Sequence, residues 1–362
     1  MHTIPVMRPK LPVAERIAPY MQRIDGARIY SNFGPLARSL EARLATCFGA
    51  PDDGVVSMAN ATVGLTLALT AQHPEPGSLC AIPAWTFVAT PHAVTQAGLV
   101  PYFVDVDPES WALDPDVLSR ELARAPGKVS AVMPVAPFGR PIDVSLWDQF
   151  RARTGLAVVI DAAASFDSLV AGRVPSVVSL HATKVIGIGE GGCVVSRDTE
   201  LIRDLRARAN FGLFQSRESR ASATNAKLSE YHAAIGLAAL DEWDVTRAEW
   251  MAVADAYNGA FAGLNRVQLQ SGFGTSWIAS TCVVDIADVG VERVERAFDA
   301  AKIETRRWWG RGAHDHPATH RFPRTSLSVT ETLARSTIGL PFYRDLEPSS
   351  IGRIAECVHS LA

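Results

Sequence analysis

Ser179-Leu-His-Ala-Thr-Lys184-Val-Ile-Gly-Ile-Gly-Glu-Gly-Gly192 is the stretch on which the fold turns. Gly187, Gly189 and Gly192 spell GxGxxG, the string of a dinucleotide-binding turn. That turn must follow a strand and open a helix, so that the helix N-terminus meets a pyrophosphate. Here the glycines run into Cys193-Val-Val-Ser196, a strand-type run, so they read as a hairpin-like turn behind a lysine. Desolvation at a strand end lowers a lysine pKa and frees its amine for carbonyl chemistry. A surface lysine beside a loop fits this segment alone at least as well.

Upstream, Leu156-Ala-Val-Val-Ile-Asp161 is an apolar strand closed by one carboxylate. Ligands of open α/β sheets gather at the carboxyl ends of strands. A pyridoxal phosphate (PLP) ring needs an acid at its pyridine nitrogen, which suits Asp161; a helix N-cap is the alternative. Further back, Asn60-Ala-Thr62-Val-Gly64 feeds a helix whose first N–H groups can meet a phosphate, although an ordinary capped helix explains the same residues. In Pro83-Ala-Trp-Thr86-Phe87 an aromatic can stack on a flat ring or simply fill core. Each piece is weak. In chain order they make one apparatus: phosphate cradle, stacking ring, acid, lysine.

The surrounding pattern predicts buried strands at Leu79–Ile82, Pro101–Val106, Val129–Val135, Leu156–Ile160, Val177–Leu180 and Cys193–Ser196. Helices are predicted at Ala61–Ala71, Thr90–Gln96, Pro115–Ala123 and Val144–Thr154. Such alternation predicts an α/β fold, a three-layer α/β/α sandwich on a mixed, mainly parallel sheet. Ala233–Met251 reads as one long helix and Pro348–Leu361 as a last one. The texture divides the chain into a large domain, 1–245, and a smaller C-terminal α+β domain, 246–362. The first thirty or so residues are expected to pack on the C-terminal part.

Composition narrows the class. The 362 residues are 48% hydrophobic and 20% charged, with a net charge of −3. That balance gives no footprint for nucleic acid or an anionic membrane. No apolar run is long enough for a membrane span, and the N-terminus lacks the pattern of a signal peptide. Five scattered cysteines form no CxxC pair, so neither a disulfide scaffold nor a metal site is expected, and a cytoplasmic location fits.

With these residues in place, the chain resembles the DegT–StrS family of PLP-dependent nucleotide-sugar aminotransferases, over roughly residues 5–345. The resemblance rests on Phe33-Gly-Pro35, Leu40 to Gly49, Pro83 to Ala93, Gly98 to Asp107, Asp161-Ala-Ala163, Ser179 to Gly192 and Asn225 to Leu240. It implies a fold-type-I (aspartate aminotransferase-like) architecture, with Lys184 forming the internal aldimine and later moving protons. It implies Asp161 on the pyridine nitrogen, Phe87 on the ring, and Ala61, Thr62 and Ser179 at the phosphate. Asn225 would reach the phosphate of a neighbouring subunit, so the active site would be shared across a homodimer.

The implied reaction moves an amino group from an amino acid, L-glutamate by analogy, to a 3- or 4-keto nucleotide-activated deoxysugar. Arg306, Arg307, His314 and His316 are candidate substrate contacts, with a solvated loop as the plain alternative. The chain departs from the family at Ala164, Ala136 and Ala223, where Gln or another polar residue, His and Gly are usual. A sugar dehydratase of the same fold would replace the lysine with histidine, which Lys184 opposes. A PLP-binding regulatory protein of weak activity is the reading that Ala164 and Ala136 motivate.

Overall fold

The computed structural model describes residues 2–213, 217–264, 266–286 and 289–361. Helix α1 (Ala14–Ala27) precedes α2 (Pro35–Phe48), and then strand β1 (Val55–Met58) enters the sheet. Alternation follows: α3 (Ala61–Thr70), β2 (Leu79–Pro83), α4 (Ala89–Gln96), β3 (Val100–Val104), α5 (Pro115–Leu122), β4 (Val129–Val132) and α6 (Val144–Thr154). Next come β5 (Ala157–Val158), β6 (Ile160–Asp161), β7 (Ser176–Ser179), β8 (Gly192–Val195) and α7 (Thr199–Arg208). The chain closes with α8 (Glu230–Asp241), α9 (Trp243–Ala260), β9 (Val267–Leu269), β10 (Cys282–Ile286), α10 (Val291–Ala300), α11 (Ser328–Ser336), β11 (Thr337–Leu340) and α12 (Pro348–His359).

Strands β3-β2-β4-β5 form a parallel sheet, and β6-β7-β8-β1 a mixed one. The two sheets join where residues 157–161 leave β4 for β7: Val159 N–H donates to the Val132 carbonyl, Asp161 N–H to Pro134 and Ile160 N–H to Pro175. The expected strand 156–160 is therefore two short strands of one extended segment. Its last residue, Asp161, is fixed by backbone on both sides. Among the described strands of these two sheets, only β8 runs against the rest, pairing antiparallel with both β7 and β1; β11-β10-β9 form a separate antiparallel sheet.

Side-chain alternation builds the three layers. On β2, Ala81 faces one core with α2 and α8, while Cys80 and Ile82 face the other with α3 and α4. On β8, Cys193 and Val195 face the first core and Val194 the second. All these strands are buried on both faces, which is why their sequences read as unbroken apolar runs.

One expectation needs correction. The stretch 233–251 is not one helix: it breaks at Glu242 (φ −102°, ψ 7°), where Glu242 pairs with Arg16 at 3.0 Å and Trp243 turns its ring edge onto Phe166 at 4.9 Å. Propensity is high on both sides of this break, so it is packing that sets it. The N-terminal thirty residues also divide. Ile4 bridges Ile303 and Val6 accepts from Phe342 N–H in the C-terminal part, whereas α1 lies along α8 and ties Tyr20 to Asp241 at 2.7 Å. Residue 245 falls inside α9.

Candidate active site

A cavity of about 390 Å³ opens over the carboxyl ends of the parallel strands. Its walls include Ala61, Thr62, Phe87, Asp161, Ser179 and Lys184, bringing together residues spread over more than a hundred positions. The sheet does this: β2, β6 and β7 all point their C-terminal ends at one place.

Lys184 sits in a tight turn inside the β7–β8 hairpin. Its own N–H donates to the His181 carbonyl at 2.8 Å, Ala182 N–H to Gly189 at 2.8 Å and Leu180 N–H to Gly191 at 2.9 Å. The glycines thus fold back over the lysine and open no helix. At Gly192 a Cβ would stand 2.7 Å from the Ala61 nitrogen, so only glycine lets the hairpin touch the start of α3. There Asn60 caps the helix by accepting from Val63 N–H at 2.9 Å. The N–H groups of Ala61 and Thr62 precede any intrahelical acceptor and face the cavity's end of the helix.

Asp161 is 5% exposed. Its Oδ2 accepts from the Thr90 hydroxyl at 2.8 Å, Thr86 in turn bonds Thr90 at 2.8 Å, and Oδ1 accepts weakly from Ala163 N–H at 3.2 Å. Burial pushes the carboxyl pKa up, against the opposing pull of Thr90, Ala163 N–H and the Lys184 charge. Burial likewise pushes the Lys184 amine down, with Asp161 opposing. The two form no ion pair, and the Lys184 amine has no hydrogen-bond partner among the described residues. They flank an open space in place of neutralising each other.

That space suits a flat, phosphorylated pyridine. The buried acid keeps lone pairs free at one end, the helix N-terminus stands at another, and Phe87 stays 56% exposed with a ring face to offer. Ala136 and Ala164 line the same wall without a polar atom in their side chains.

The structure leaves some expected residues outside this cavity. Arg306 lies over the Trp308 ring at 4.9 Å, and Arg307 is forked onto Glu295 at 2.8 Å and bonded to Glu292 at 3.1 Å. His314 is buried against Phe103, and His316 is exposed. None of these four lines the cavity in this chain. The reason is geometric: residues 306–316 present their aromatic side chains inward and their charged ones to other surfaces. Asn225 is exposed and bridges Asn210, also away from its own chain's cavity.

Sequence reasoning passed over Trp308, Trp309 and Phe138, which do line it. Trp309 stacks on Phe138 with ring centres 3.8 Å apart and planes 19° from parallel, and Trp85 meets Trp309 edge-on at 5.5 Å. The consecutive tryptophans were the available signal. No arginine occurs among the described lining residues, so a guanidinium anchor for a carboxylate or diphosphate would have to come from outside them.

The DegT/DnrJ/EryC1/StrS aminotransferase family matches residues 13–359. Protein Rv3402c of Mycobacterium tuberculosis is 30% identical, with 98% of this chain and 89% of that protein covered. The dTDP-4-amino-4,6-dideoxy-D-glucose transaminase of Escherichia coli is 27% identical over 98% of this chain and 97% of its own length. The crystal structure of DesI, solved in the presence of its TDP-sugar product, superposes with a TM-score of 0.88 at 30% identity, covering 99% of this chain and 93% of that one.

Proposed function

This chain belongs to the DegT/DnrJ/EryC1/StrS aminotransferase family, and from that premise we propose that it transfers an amino group from an amino acid, L-glutamate, to a 3- or 4-keto nucleotide-activated deoxysugar. The observation that carries the reading is the unpaired arrangement of Lys184 and Asp161 across one cavity. When bound, pyridoxal phosphate supplies an aldehyde that condenses with amines and a ring that spreads the electron pair released at the adjoining carbon.

Lys184 would hold that cofactor covalently through Nζ, because burial favours its neutral, nucleophilic form. Once displaced by an incoming amine, the same Nζ stands free in the cavity to take a proton from one carbon and return it to another. Asp161 would hold a proton on the ring nitrogen, its carboxylate oriented by Thr90. Ala61 N–H, Thr62 N–H and Ser179 would bind the phosphate, and Phe87 would cover a ring face. The Trp309–Phe138 stack would bed the acceptor and shield the site from water.

A homodimer completes this reading: Asn225 and a basic group of the partner subunit would supply the polar contacts that the apolar wall lacks. The similarity to the Escherichia coli transaminase and to DesI supports a nucleotide-sugar acceptor.

Adding L-glutamate, without acceptor, to the cofactor-loaded protein should bleach its visible yellow band and raise a near-ultraviolet one, with release of 2-oxoglutarate. A protein that stays yellow with every amino donor would exclude transamination.

A further inference from the structure

A second cavity, of about 640 Å³, lies between α10, α11 and residues 311–327, and it shares no lining residue with the Lys184 cavity. Its charges are unevenly satisfied. Arg307 is taken by Glu292 and Glu295, and Arg311 by Asp315 at 3.1 Å. Arg324 forms no hydrogen bond or ion pair among the described residues. Arg335 makes only a long contact, 3.4 Å, to the Thr332 hydroxyl, and the Glu331 carboxylate accepts from nothing there.

On the same wall His314 is 7% exposed, and its Nδ1 is buried without a partner. Arg324 and Arg335, both exposed and without a carboxylate partner among the described residues, stand at the rim of the same cavity. Burial, reinforced by the nearby Arg324, holds the His314 pKa down, so the ring is neutral and able to accept a hydrogen bond.

We propose that this cavity is a second ligand site, for a small phosphate-bearing molecule whose organic part donates a hydrogen bond, and that filling it adjusts the Lys184 cavity. Arg324 and Arg335 match a phosphate group in charge and fork geometry. Glu331 receives the hydroxyl or amine of the remainder. The volume is that of a site for a small metabolite.

The coupling runs through one short stretch. Trp308 and Trp309 face the Lys184 cavity, while Arg311, His314 and Asp315 face the second. Gly312 N–H donates to the Trp309 carbonyl at 2.9 Å, and Ala313 N–H to Ala84 at 2.8 Å, next to Trp85. A ligand held by Arg324 packs against the His314 ring on this stretch, so filling the cavity shifts residues 311–315 and with them the tryptophans on the other side. This site stands apart from the reaction proposed above, since its binding is measured without turnover.

The test is calorimetric titration of the cofactor-loaded protein with inorganic phosphate and, separately, with glucose 1-phosphate. Both should bind saturably, the sugar phosphate more tightly. The double variant Arg324→Leu/Arg335→Leu should weaken both by about tenfold or more, and Glu331→Leu, which leaves no acceptor, should remove only the sugar phosphate's advantage. The loop keeps its place without the Arg324 side chain, because Phe103 N–H bonds the Pro323 carbonyl and Thr325 N–H the Phe103 carbonyl, each at 2.9 Å. The milder Arg324→Lys/Arg335→Lys pair should fall between.

Tryptophan emission should change on saturation in the native chain and less in Trp309→Phe, where Trp308 alone of the pair still reports. No saturable binding up to ~10 mM, or equal binding in the leucine variant, overturns the site. Binding that leaves the emission unmoved overturns the coupling.

Discussion

Two sets of buried charge sit only a few strands apart and are treated in opposite ways. Glu41, 4% exposed, accepts from Ser57 N–H at 2.8 Å and its hydroxyl at 2.7 Å, and pairs with Arg206 at 2.8 Å. Arg206 also donates to the Val55 carbonyl and lies 4.8 Å over the Phe33 ring. Glu230, 1% exposed, accepts from Leu36 and Ala37 N–H at 2.7 and 2.8 Å, answering the free donors at the start of α2. In that region every carboxylate oxygen has a partner. Asp161 is buried and Lys184 half-buried, yet they are held apart and both are pushed toward their neutral forms. Satisfied charge is structure, whereas charge left waiting is a site.

Removing the waiting amine gives the largest expected effect. Lys184→Ala should lower aminotransfer by at least about 1,000-fold and abolish the borohydride-fixed adduct seen by mass spectrometry. Its thermal midpoint without cofactor should be unchanged or higher, because the lysine pairs with nothing. A fixed adduct surviving in this variant would move the covalent role elsewhere.

Breaking the satisfied pair should act on stability instead. Glu41→Ala leaves Ser57 N–H and its hydroxyl without their acceptor and the half-buried Arg206 without its carboxylate, and should cost about 2–3 kcal/mol in denaturant unfolding. If the loss were under about 1 kcal/mol, the pair would be no better than a surface ion pair and the contrast would fail.

The smallest effect sharpens the comparison most. The folded pKa of Asp161 lies above its unfolded value, so the unfolded chain releases the proton first. Stability contributed by this group is present below the unfolded pKa and is lost as pH rises toward the folded one. Asp161→Asn should therefore stabilise the cofactor-free protein at neutral pH, by about 1 kcal/mol, and flatten that slope, while impairing use of the cofactor. A destabilised variant would mean that Asp161 is a structural carboxylate like Glu41.

Much of this was legible early. The residue pattern marks helix α6 at 144–154 and β2, β3, β7 and β8 to within a residue or two, because buried strands are apolar on both faces and the helices between them are capped by Asn60, Asp114 and Asp143. The turn behind Lys184 followed from a strand-type run where a dinucleotide fold needs a helix. The break at Glu242 was not legible, since nothing local marks it.

The tryptophan wall shows the same limit. Charge in Arg306-Arg-Trp-Trp-Gly-Arg-Gly drew attention to arginines, but Arg307 is consumed by two glutamates from α10 and the tryptophans take the cavity. Sequence by itself determined which residues carry reactive chemistry and the order of the strands' apolar runs, because those are local properties of side chains and spacing. Only the tertiary structure decided which charges are neutralised, since the partner of a buried group lies wherever the chain folds back to meet it.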